Sequence, residues 1–171
     1  LKILGVDLAG KTTNPTGLCI LKNDKIEFGI VYSDKQILEI SIEFKPDIIA
    51  IDAPIMQGEP RTRKADRLLK KYGAFPPSLP GMKSLTIRGS KLAAQLTTHC
   101  KVIEVFPTAT AKILGIYSRN YKETIAKLGI KVNNKHELDA YFCCLTAKMF
   151  LEGKTVKIGD ETGEIIVPKQ S

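Results

Sequence analysis

The chain has 171 residues, 43% of them hydrophobic and 26% charged, with a formal net charge of +8. This is enough for one domain with a real core, and no apolar run escapes Lys, Asp or Glu for long enough to cross a bilayer. Four cysteines without CxxC spacing and only two histidines exclude a zinc site built from those residues, while the basic charge favours a polyanionic partner.

Residues 2–8 read as a first strand. Pro15 and Gly17 mark a turn, Thr16–Lys22 a second strand, and Asn23-Asp24 a hairpin turn into a third strand, Lys25–Tyr32. Asp34 is positioned to cap a helix over roughly 35–44, which Pro46-Asp47 ends. Ile48–Ala53 is almost wholly apolar, as a buried central strand should be. Arg61–Tyr72 has helical spacing and strong positive charge, and the prolines of Gly73–Gly81 predict a loop. A helix over roughly 84–98, a strand at Lys101–Phe106, a short helix after Pro107, another near 121–128 and a long one from Lys135 to Glu152 follow. Thr155–Ile158 and Glu164–Val167 predict a small hairpin. The order implies one α/β domain over residues 1–171. Its mixed sheet has three antiparallel strands, then two parallel ones, with helices on both faces. A helical, proline-rich insertion occupies about 58–98, and the hairpin about 155–168. The opening Leu1-Lys2-Ile3-Leu4-Gly5 lacks signal-peptide anatomy, and with cysteines that read as reduced packing residues this points to the cytoplasm.

Gly5–Thr12 (GVDLAGKT) matches the pattern GxxxxGK[ST] of nucleotide-phosphate-binding P-loops. That loop needs a helix N-terminus behind it, and Pro15, Gly17 and the strand-like Leu18–Leu21 leave no room for one. The match is disfavoured, with Lys11 kept as a turn lysine near a phosphate or a solvated one.

Four acids stand in costly settings. Asp7 closes the first strand and Asp52 the fourth, Glu104 is embedded in Val102–Phe106, and Asp139 flanks the apolar stripe of the last helix, one turn after His136. Taken singly, Asp7 and Asp52 are explained as turn caps and Glu104 as the partner of an arginine. Taken together, parallel first, fourth and fifth strands would converge Asp7, Asp52 and Glu104 beneath Asp139. Carboxylates so crowded call for Mg²⁺ or Mn²⁺.

GVDLAG, IDAPI, RTRKADR, IEVFP, HELDA and a tail ending in IVP resemble, in order and spacing, a family of prokaryotic proteins of the RNase H-like fold predicted to be nucleases, the domain of unknown function numbered 429. The resemblance, distantly extending to RuvC-type junction resolvases, implies acids on the first strand, the fourth strand and the last helix, matching Asp7, Asp52 and Asp139. His136 falls where resolvases carry a further ligand, while Glu104 belongs to the family's own IEVFP pattern. It implies a metal-dependent phosphodiesterase acting on DNA or RNA. Asp7 would bridge two ions, with Asp52 and Asp139 holding one each and Glu104 or His136 assisting. Lys11, Arg61, Arg63 and Arg67 are candidate phosphate contacts, against a plain solvated face. Phe75, in the proline-rich loop, is either a base-stacking wall or part of a connector. A homodimer is a further expected partner. The rival classes are a non-catalytic nucleic-acid-binding scaffold and the disfavoured nucleotide-phosphate enzyme.

Overall fold

The computed structural model describes residues 1–170. Seven strands among them form one mixed sheet in the order β3-β2-β1-β4-β5-β7-β6. β1 (Lys2–Asp7), β2 (Thr16–Lys22) and β3 (Lys25–Val31) are an antiparallel meander. β4 (Ile48–Ile51) runs parallel to β1, β5 (Lys101–Val105) parallel to β4, and β7 (Gly163–Pro168) parallel to β5. β6 (Thr155–Asp160) closes the edge antiparallel to β7. The mixed sheet expected from the element order, and the RNase H-like architecture implied by the resemblance, are observed. The expected terminal hairpin forms, and it extends the expected five-stranded sheet to seven strands because β7 docks on β5.

Strand alternation sorts the core into two layers. Ile3, Ile48, Ala50, Ile103 and Val105 face α6 (Lys135–Leu151) through Ala140, Cys143, Cys144 and Ala147. Leu4, Val6, Ile49 and Ile51 face the other way, toward α1 (Asp34–Phe44) and α3 (Pro80–Leu96) through Ile37, Leu92 and Leu96. All four residues of β4 are fully buried because helices cover both of its faces. Each such isoleucine contributes roughly 1.5–3 kcal/mol relative to exposure. The remaining helices are α2 (Lys64–Leu68), α4 (Pro107–Ile113) and α5 (Tyr121–Leu128).

Local signals explain the boundaries that differ from expectation. Ser33, not Asp34, caps α1: its Oγ accepts from the Gln36 amide at 3.1 Å while Gln36 Oε1 accepts from the Ser33 amide at 3.0 Å. α3 begins at Pro80, inside the stretch expected to be loop, because proline at the first helical position loses only an amide that had no partner anyway. The basic stretch 61–72 forms only the short helix α2 and a 3₁₀ turn at Lys70–Tyr72. GVDLAGKT spans β1 and its turn into β2, with Asp7 opposite Gly17, so no helix follows it as a P-loop requires. No helix among the described residues is long and apolar enough to cross a membrane.

Candidate active site

Register places Asp7 and Asp52 side by side. Val6 pairs with Ile51 across the parallel β1/β4 ladder, and the Asp52 amide donates to the Val6 carbonyl at 2.9 Å. Both acids follow the alternation of Ile3 and Ala50, which puts them on the α6 face at the carboxyl ends of their strands. Two glycines bring the helix down to them. A Cβ at Gly5 would collide with the carbonyl oxygen of Ala140, and one at Gly17 with that of His136. Without side chains there, the first turns of α6 approach β1 and β2 closely enough for His136 Nδ1 to lie 3.2 Å from Asp7 Oδ2. Asn134 fixes the start of that helix, its Oδ1 accepting from the Glu137 amide at 2.9 Å.

The carboxylates sense one another. Burial raises Asp52 well above the ordinary aspartate value, helped by the charges of Asp7 and Asp139 and by a proton shared with Asp7. Burial, then the charge of Asp7, pushes Asp139 up to about 7. The hydrogen bond to Asp7 raises His136, against a smaller opposing effect of burial. Three acids and an imidazole therefore share one electrostatic site. Among the described residues, however, no three His, Cys, Asp or Glu side chains already stand as ligands around one point.

The Asp139 shift has a stability consequence. Its folded value lies above the unfolded one, so the folded state keeps a proton that the unfolded state releases. Stability is therefore expected to fall as pH rises from about 4 to about 7, by about 2–4 kcal/mol at ~1.4 kcal/mol per pKa unit. Asp139→Asn removes that cost: in chelator its melting temperature should exceed the parent's by about 5–10 °C at pH 8 and match it at pH 4. Equal melting curves at pH 8 would count against the crowding.

Glu104 leaves its strand on the other face from these acids, although its charge reaches Asp52 and the two line one cavity. It pairs with Ile51, not with the position of Asp52, so alternation turns it to the opposite face of the sheet. There its two oxygens accept from Arg63 Nη1 and Nη2 at 2.6 and 2.7 Å, and Oε2 also accepts from the Ile55 amide. Of the two expectations for Glu104, a metal-site acid and an arginine partner, the second is the contact observed. Arg63, expected on phosphates, is 1% exposed, and its remaining donors go to Asp66 and the Ile55 carbonyl. Burial pushes Glu104 up to about 7 against the pull of Arg63, whereas the same carboxylates raise Arg63 despite its own burial. The bidentate geometry decides between them: a guanidinium donor on each oxygen favours the carboxylate, so the pair is ionic at neutral pH. Gly163, at φ 150°, closes over this arginine where a Cβ would strike Nη1. Lys11, Arg61 and Arg67 are exposed, and Arg61 Nη1 donates to the carbonyls of Gln57 and Glu59.

The sequence reading missed a cavity beside Asp52, about 380 Å³ in volume, walled by Tyr72, Phe75, Phe106 and Tyr117. These aromatics come from three separate segments; of them only Phe75 was expected as a base-stacking wall, and its partners around the cavity were not.

No family model matches the chain, and neither does any curated protein. Among solved structures it is similar to T. thermophilus RuvC in complex with a Holliday junction substrate. That match has a TM-score of 0.52 and 15% identity over 90% of this chain and 97% of that one. Likeness at this identity establishes the shared fold.

Proposed function

We propose that this chain is a divalent-metal-dependent nuclease that hydrolyses phosphodiester bonds, with Asp7, Asp52 and Asp139 as its metal-holding acids and His136 as an assisting group. The observation that carries the reading is the convergence of Asp7, Asp52 and Asp139 on the α6 face, where burial first, and then the charge of Asp7, holds each of the last two above its ordinary value. Repelling carboxylates at the mouth of a sheet are a poor structural device and a good oxygen-donor set for Mg²⁺ or Mn²⁺. When bound, such ions supply an activated water and charge stabilisation for the leaving oxygen. The chain's own part is to hold the acids on rigid strand ends and to place His136 Nδ1 on Asp7, leaving the other ring nitrogen available for proton transfer. The net charge of +8 and the likeness to a protein solved on a DNA junction support nucleic acid, DNA or RNA, as the partner. A cytoplasmic location and a homodimer belong to the same proposal.

The test is a cleavage screen over single-stranded, duplex, hybrid and branched substrates, with Mg²⁺, Mn²⁺ or chelator. Metal-dependent product from at least one substrate is expected. No cleavage, together with no thermal stabilisation by either cation, would leave the non-catalytic scaffold as the better reading.

A further inference from the structure

Resting on that nuclease reading, we infer that the cavity beside Asp52 receives one unpaired nucleobase of the substrate strand, with a preference for bases that carry an exocyclic amino group. Its volume of about 380 Å³ lies within the roughly 300–1,000 Å³ of small-ligand pockets. Phe75 is 64% exposed and Tyr117 42% exposed, so two aromatic side chains at this cavity present ring surface to solvent. Base stacking on aromatic walls uses such faces. Asp52 lines the same cavity, and Thr108 and Tyr117 border both it and a small cleft at Asp139. A phosphate held at the acids thus has the aromatic pocket immediately next to it. Lys112, also lining the cavity, sits 4.8 Å from the Tyr117 ring centre and supplies positive charge for the adjoining backbone.

The polar part of the wall sets the preference. Asp66 and Glu104 line the cavity as hydrogen-bond acceptors. A carboxylate offers about four lone-pair positions. Arg63 takes three at Asp66, while Arg63 and the Ile55 amide together take three at Glu104. One acceptor position remains on each, which suits an amino group of adenine, cytosine or guanine, whereas thymine and uracil offer only N3–H, flanked by two carbonyl oxygens that the carboxylates repel.

The experiment scans a single abasic site, and then a single thymine, along an adenine-rich single-stranded oligonucleotide. It measures cleavage by the intact protein and by Phe75→Ala and Tyr117→Ala, each checked for an unchanged circular dichroism spectrum. One position is expected at which abasic substitution slows the parent about 10-fold or more and thymine slows it less, with the variants largely indifferent to both. In parallel, 2-aminopurine at that position, or scanned along the strand where nothing is cut, reports stacking on the Asp7→Asn protein by fluorescence quenching. Quenching that disappears in Asp7→Asn/Phe75→Ala supports the pocket even where no strand is cleaved, an outcome that would sink the nuclease reading alone. Cleavage without any positional preference for a base overturns the pocket and leaves the nuclease reading standing. Neither cleavage nor quenching overturns both.

Discussion

Asp7→Asn is expected to lower metal-dependent cleavage by about 10³-fold or more, equivalent to about 4 kcal/mol in the barrier, while the protein folds and binds nucleic acid nearly as before. The substitution keeps the shape of the side chain and removes the charge that Asp52, Asp139 and His136 all feel. Asn would be a neutral and weaker donor to a divalent cation, so transition-state stabilisation is lost where substrate contacts persist. Two side effects distinguish this from local unfolding. Asp52 and Asp139 lose a repelling neighbour, so the variant should melt no lower than the parent at pH 8. The main cause of the raised His136 value is also gone, so its imidazole should titrate closer to the ordinary 6.5. Proton NMR of His136, melting curves and kcat/KM with Mg²⁺ measure all three. Undiminished cleavage by a folded Asp7→Asn protein would remove the basis for a carboxylate-centred reaction.

Much of this site is legible in the chain because strand ends advertise themselves. An Asp after three or four apolar residues marks where a buried strand surfaces, and Asp7 and Asp52 each do so. Asp139 is legible because it interrupts the edge of an apolar stripe beyond the reach of the helix dipole. The facing of Glu104 is legible too: in Val102–Phe106 the alternation alone sets it apart from Val105, the residue on the α6 face. The docking of β7 on β5 is less accessible, since the two strands are separated by three helices and β6, and nothing local specifies the pairing. Arg63 was hidden for a related reason. A lone arginine in RTRKADR looks like its exposed neighbours Arg61 and Arg67 until distant Glu104 and the Gly163 turn enclose it.

Arg63 also carries the second large effect. Arg63→Ala is expected to destabilise the fold by about 3–5 kcal/mol, because it strands Asp66 and Glu104 as buried carboxylates without a cation. Asp66 also holds the start of α2 through the Arg63 amide at 2.8 Å, and Glu104 holds the Ile55 amide at 3.0 Å. The damage should therefore spread to the segment between β4 and β5 and to the hairpin turn above it. Replacing the cation and both acids together by apolar residues of similar volume should recover most of the loss, since the desolvation cost goes with the charges. Urea midpoints measure both effects. The phosphate-contact alternative makes the opposite prediction for the single substitution: an unchanged midpoint and a shallower salt dependence of nucleic-acid binding. Arg67→Ala, exposed on the same helix, is the matched comparison, expected to leave stability within about 0.5 kcal/mol. A stability change at Arg63 no larger than at Arg67 would mean that the buried ion pair does not hold these elements together.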